Sequence, residues 1–165
     1  MQMNYLCQPP KRFTFEQPQL KRWVEQHSHG KVLNLFAGRT ALQLDEVRVD
    51  KDAAMPADYH MDAFEFVQLA IQRSMKFDTV ILDPPYNLRK AREKYGGKYI
   101  GKFTKLMDSI PFLVPPGGTV ISLGYSSGGM GKCRGFEKTA ICLVNHHGDH
   151  DDTIVVVERK ANGSL

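Results

Sequence analysis

Residues 79–86 read Thr-Val-Ile-Leu-Asp-Pro-Pro-Tyr, and this stretch leaves the backbone little choice. Thr79 to Leu82 is β-branched and aliphatic, the pattern of a strand buried on both faces. Pro84 and Pro85 lack an N–H and fix φ, so the strand cannot run through them. Pro84 keeps Asp83 out of helical φ/ψ, and Pro85 does the same to Pro84. The expected product is a stiff turn at the carboxyl end of a strand. It gathers a carboxylate (Asp83), a backbone carbonyl without a ladder partner (Pro84) and an aromatic face (Tyr86). Such a set suits a planar exocyclic amine on a base. The two acceptors take both amine hydrogens and leave the lone pair aimed at an electrophile. The ring stacks on the base, a contact worth about 1–3 kcal/mol. This is catalysis by positioning and charge complementarity, with no covalent intermediate. The bland alternative is a plain turn with a capping aspartate.

The first half of the chain carries the pattern of a nucleotide site. Lys31 to Phe36 reads as the first strand. It runs into Ala37-Gly38-Arg39-Thr40 and then into an expected helix start at Ala41 to Leu44. Strand, small-residue turn and helix make a nucleotide-binding βα unit. Gly38 lets the backbone approach a ligand, and the turn's N–H groups can meet a carboxylate. Glu46 to Asp50 alternates and reads as a short second strand ending in an acid. An acid in that place accepts hydrogen bonds from ribose hydroxyls in dinucleotide sites; Asp52 competes with Asp50 for the role. Asp62 precedes an apolar-periodic stretch containing Phe64, Val67, Ala70 and Ile71, where aspartate is also a favoured helix N-cap.

The tetrapeptide Asp83-Pro84-Pro85-Tyr86 resembles the D-P-P-Y catalytic loop of class I amino-group methyltransferases that use S-adenosylmethionine. Phe36 and Gly38, some forty residues earlier, resemble their F-x-G-x-G motif. The chain departs from that motif at Asn34, where an acid is commoner, and at Thr40, where a final glycine is usual. The resemblance implies an α/β, Rossmann-like sheet of seven mostly parallel strands flanked by helices and closed by an antiparallel hairpin. It implies S-adenosylmethionine as cofactor, bound by Asn34, Phe36, Ala37, Gly38, Thr40, Asp50, Lys51, Asp62, Ala63 and Asp83. It implies a catalytic turn of Asp83, Pro84, Pro85 and Tyr86, acting on a nucleobase amine, adenine N6 first. It also puts Phe13-Thr14-Phe15, just before the first helix, in a place that often lines the cofactor site.

Beyond the turn, Arg89, Lys90, Arg92, Lys94, Lys98, Lys102 and Lys105 meet a single acid, Glu93, with Tyr95, Tyr99 and Phe103 interleaved. Positive charge beside the proposed turn is the footprint of a phosphate-bearing substrate. Tyr86, Asn87, Arg89, Lys90, Arg92 and Lys94 are therefore the expected substrate contacts, and DNA or RNA the expected partner. The base would have to be unstacked to enter. The chain reads as one domain over residues 1–165, with 1–30 an arm and first helix. No separate target-recognition part is evident, so RNA, a recognition subunit or a homodimer is a serious option. Competing readings are a subunit with this fold but weak catalysis, and a protein amide methyltransferase.

Bulk properties exclude little. A net charge of +4 and a pI near 9.0 permit an anionic partner. No apolar run approaches the ~20 residues of a membrane span, and Met1 to Pro10 lacks a signal-peptide pattern. Three scattered cysteines, Cys7, Cys133 and Cys142, point to a reducing cytoplasm. The cluster His146 to Asp152 matches no familiar metal spacing and reads as a polar hairpin loop, with no metal expected. Residues 1–19 show no periodicity.

Overall fold

A computed structural model describes residues 1–85, 100–148 and 150–163. The strands are β1 (Gln2–Cys7), β2 (Val32–Asn34), β3 (Glu46–Arg48), β4 (Thr79–Leu82), β5 (Thr119–Gly124), β6 (Phe136–Asn145) and β7 (Thr153–Lys160). Among the described residues the α-helices are α1 (Pro18–His27), α2 (Ala63–Gln72) and α3 (Ile100–Ser109), the last followed by a 3₁₀ turn over Ile110–Leu113. The strands form one seven-stranded sheet in the order β1-β6-β7-β5-β4-β2-β3. Only β7 runs against the others. The architecture is Rossmann-like, closing with the antiparallel β6–β7 pair, as expected.

Strand alternation assigns the two layers. In β4 all four residues are buried. Val80 and Leu82 face the core under α2 and α3, while Ile81 faces the core under α1. Pro18 opens α1 at its first turn, where a missing N–H costs nothing. Leu20, Trp23 and Val24 are its buried face. Ser28 ends it, with Oγ donating to the Val24 carbonyl at 2.7 Å. Asp62 caps α2 by accepting from the Phe64 and Glu65 amides. Lys160 ties the end of the sheet to the 3₁₀ turn, donating from Nζ to the Pro111 and Val114 carbonyls, both at 2.8 Å.

Three local expectations are corrected. The N-terminal residues, read as aperiodic, form strand β1, parallel to β6 with Gln2 opposite Ala140 and Cys7 opposite Asn145. The short strand that the resemblance implies just before Asp62 is reduced to an isolated bridge between Val49 and Tyr59. The helix expected from Ala41 is absent; residues 41–45 are bends and coil. Side chains of β3 meet the polar groups that a helix would have paired. Glu46 accepts from the Leu42 amide at 3.0 Å, and Arg48 donates to the Thr40 carbonyl at 3.1 Å.

The cysteines differ in environment. Cys142 is buried in β6, and burial pushes its thiol up to about 11, whereas Cys7 and Cys133 are exposed. Only the thiolate is nucleophilic. At pH 8 under native conditions, iodoacetamide should modify Cys7 and Cys133 and spare Cys142. Peptide mass mapping reads the result, and urea should make Cys142 reactive.

Candidate active site

The carboxyl ends of the parallel strands share one edge of the sheet, and a cavity of about 860 Å³ runs along it. Following the strand order, its wall takes Asp50 and Lys51 after β3, then Leu35 to Gly38 and Thr40 after β2. Next come Asp83, Pro84 and Pro85 after β4, then Tyr125 after β5. Thr153 at the start of β7 and His146 after β6 follow, with His150 and Asp151 between them in sequence. Asp62, Ala63 and Phe64 at the start of α2 form one side. Residues Pro10 to Phe15 and Gln17 form another, and Phe103 and Leu106 of α3 contribute as well.

The turn after β2 owes its shape to two side chains of the neighbouring strand and loop. Gly38 has φ +63, a left-handed conformation that glycine adopts without strain, and its amide donates to Asp50 Oδ2 at 2.8 Å. Asp50 Oδ1 accepts from the Asp52 amide, also at 2.8 Å. Asp50 thereby locks two loops together while bordering the cavity; Asp52 is not in its wall. Arg48, buried beneath, donates to the carbonyls of Ala37 (3.2 Å), Gly38 (2.8 Å), Thr40 (3.1 Å) and Pro56 (2.9 Å). It also pairs with Glu46 at 2.7 Å. The sequence pattern gives no sign of this role for Arg48, the last residue of the edge strand β3, whose guanidinium needs acceptors only because the fold buries it.

Of the expected cofactor residues, the cavity wall contains Phe36, Ala37, Gly38, Thr40, Asp50, Lys51, Asp62, Ala63 and Asp83. Asn34 is elsewhere. It is fully buried in β2, with its amide nitrogen 3.3 Å from Glu46 Oε2. Asp62 both caps α2 and borders the cavity. Phe13, Thr14 and Phe15 all lie in the wall. Pro84 and Pro85 lie there too, whereas Tyr86, Asn87, Arg89, Lys90, Arg92 and Lys94 are outside the described residues.

Sequence reasoning missed Gln17, Tyr125, His146, His150, Asp151 and Thr153 as wall residues. The density of His and Asp in 146–152 was the available signal, but only the placing of the hairpin at this edge links it to the cavity. His146 is buried. Its Nδ1 lies 3.1 Å from the Gln8 carbonyl and its Nε2 lies 2.7 Å from Thr153 Oγ1. Among the described residues no group of three or more His, Cys, Asp or Glu could hold a metal. No helix among them is long and apolar enough to cross a membrane.

No protein-family model and no curated protein matches the sequence. Solved structures do match. TrmN from Thermus thermophilus superposes with a TM-score of 0.58 at 16% identity, over 87% of this chain and 49% of that one. A SAM-dependent methyltransferase from Agrobacterium tumefaciens gives 0.57 at 16% identity, over 86% and 60%. The 1,6-didemethyltoxoflavin-N1-methyltransferase of Burkholderia thailandensis, solved with 1,6-didemethyltoxoflavin and S-adenosylhomocysteine, gives 0.58 at 15% identity, over 86% and 76%. The chain spans about half the length of the first of these and three-fifths of the second. At such identities the likeness is one of fold: this chain has the Rossmann-like fold of SAM-dependent methyltransferases.

Removing the buried Arg48 would strip four carbonyls of its hydrogen bonds and leave the Glu46 carboxylate without its ion-pair partner. Arg48→Ala should lower unfolding free energy by about 3 kcal/mol, the usual scale for breaking a buried pair on one side. Arg48→Lys should recover little of it, because an ammonium cannot reproduce the guanidinium fork. Urea titration of the three proteins measures both effects.

Proposed function

We propose that the chain is an S-adenosylmethionine-dependent methyltransferase acting on an exocyclic amine of a nucleobase, adenine N6 first, in DNA or RNA. The observation that carries the reading is the junction at β4. The Asp83-Pro84-Pro85 turn borders the same cavity as Gly38, Asp50 and Asp62, at the edge where the strand order reverses, the usual ligand crevice of open α/β sheets.

The donor set fits the cofactor. Gln17 is buried in the cavity wall, and among the described residues its Oε1 has no hydrogen-bond partner. An acceptor left in that state costs about 1–3 kcal/mol unless a ligand N–H meets it, and the cofactor's amino group is such a donor. Asp50 has accepted one backbone N–H on each oxygen. A carboxylate offers about four lone-pair sites, which leaves room for ribose hydroxyls. Phe36, Ala63 and Phe64 supply apolar wall for an adenine ring beside Asp62. When bound, the cofactor supplies a methyl group on a sulfonium.

The chain's own residues then have three tasks. Asp83 and the Pro84 carbonyl accept the amine hydrogens and orient its lone pair. Tyr86 stacks the base. The arm from Pro10 to Gln17 covers the cavity and excludes water. The basic run from Arg89 to Lys105 supports a polyanionic partner. A recognition subunit or second copy would supply target choice.

Isothermal calorimetry should show saturable binding of S-adenosylmethionine and none of NAD. Transfer of labelled methyl groups to DNA and to RNA then finds the acceptor. Asp83→Ala should cut transfer at least 100-fold, on the scale of losing a transition-state contact, with cofactor Kd within threefold of wild type. Asp50→Ala should weaken cofactor binding about tenfold, the worth of one lost hydrogen bond or slightly more. Full turnover by Asp83→Ala on the true acceptor overturns the assignment.

A further inference from the structure

One buried hydrogen-bond chain in the cavity wall has no part in the reading above. It runs from the Gln8 carbonyl through His146 to Thr153. Its members come from three elements: the residue after β1, the residue after β6 and the first residue of β7. His146 and Thr153 are both more than nine-tenths buried, and both line the cavity.

For a neutral imidazole the chain has one polarity. A carbonyl oxygen only accepts, so His146 Nδ1, 3.1 Å from the Gln8 oxygen, carries a proton and donates it. The neutral imidazole then has a bare Nε2, which accepts from Thr153 Oγ1 at 2.7 Å. Thr153 has spent its only hydroxyl proton on His146. Any polar contact that its oxygen makes in the cavity is then made as an acceptor. Residue types alone do not specify this, since a threonine hydroxyl ordinarily rotates to donate or accept as a ligand requires.

The position of the chain gives it a client. In strand order the wall runs from β3 and β2, with Asp50 and Gly38, through Asp83 at β4, to β5, β7 and β6. Asp50 and Thr153 belong to strands on opposite sides of the Asp83 turn. With the cofactor on the β3–β2 side, Thr153 lies on the side left for the acceptor.

We propose that Thr153 is an acceptor-substrate-binding residue that takes an N–H or O–H from the molecule being methylated, and that His146 is the positioning residue that fixes its polarity. This rests on the methyltransferase reading only for the name of the ligand; the polarity of the wall follows from the hydrogen bonds themselves. The ligand class is a hydrogen-bond donor such as an amino-purine nucleotide. A group offering only lone pairs to Thr153 is rejected, because two acceptors would face each other with no proton between them.

Two measurements separate this proposal from the function above. In protein labelled with ¹⁵N-histidine, the ring resonances of His146 should be those of the Nδ1–H tautomer. Adding adenosine monophosphate should shift the Nε2 resonance, and Thr153→Val should abolish that shift. Neither readout needs S-adenosylmethionine, so both stand or fall apart from cofactor binding. In the transfer assay, Thr153→Val should raise the KM for the nucleic-acid acceptor about tenfold, the upper range for one neutral hydrogen bond. Its kcat should change less than threefold, and its calorimetric Kd for S-adenosylmethionine should stay at the wild-type value. Thr153→Ser keeps the hydroxyl and should restore KM. A merely structural role would instead move stability and both constants together. An Nε2–H tautomer, or a wild-type KM in a folded Thr153→Val protein, overturns the proposal.

Discussion

The Arg48 guanidinium holds together the half of the site that a helix would otherwise have shaped. In a βα nucleotide unit the loop after the first strand runs into a helix, whose amides and carbonyls pair internally. Here that helix is missing, and the carbonyls of Ala37, Gly38 and Thr40 turn inward to one buried side chain. Glu46 completes the arrangement by pairing with Arg48 and accepting from the Leu42 amide. Asp50 then reaches from the next loop to the Gly38 amide. An irregular loop acquires a defined shape because three of its carbonyls and the Gly38 and Leu42 amides have fixed side-chain partners.

The sheet supplies the second constraint. Six strands run the same way, so their carboxyl ends fall on one rim, and the single reversed strand, β7, brings its first residue to that rim. Chemistry-bearing residues separated by as much as the interval from Asp50 to Thr153 line one cavity for that reason alone. The N-terminal strand extends the same edge. By pairing with β6 it brings Gln8 beside His146, so a residue before the first helix sets the tautomer of one near the last hairpin.

Sequence and structure agree where local covalent limits decide the outcome. The prolines after Asp83 end β4 at Leu82, and Asp62 caps α2, because neither depends on a distant partner. They part where long-range pairing decides. Met3 and Tyr5 are exposed and Leu6 is half-buried, so β1 shows no clean alternation of apolar and polar residues; its strand identity comes from a ladder to residues 140–145. Asn34 was grouped with the cofactor residues by its place in a motif. Strand alternation instead sets its side chain against Glu46.

The sequence by itself determined the strand-and-turn at Asp83, the glycine that permits a left-handed turn at position 38, and the helix starts at Pro18 and after Asp62. Each is a consequence of bond geometry or of a hydrogen bond within a few residues. Tertiary structure alone decided that Arg48 replaces a helix, that Asp50 rather than Asp52 borders the cavity, and that Thr153 lines it beside His146. Those outcomes depend on which groups meet across the sheet edge, and a hydroxyl or a guanidinium takes its role from the partners that the fold brings within about 3 Å.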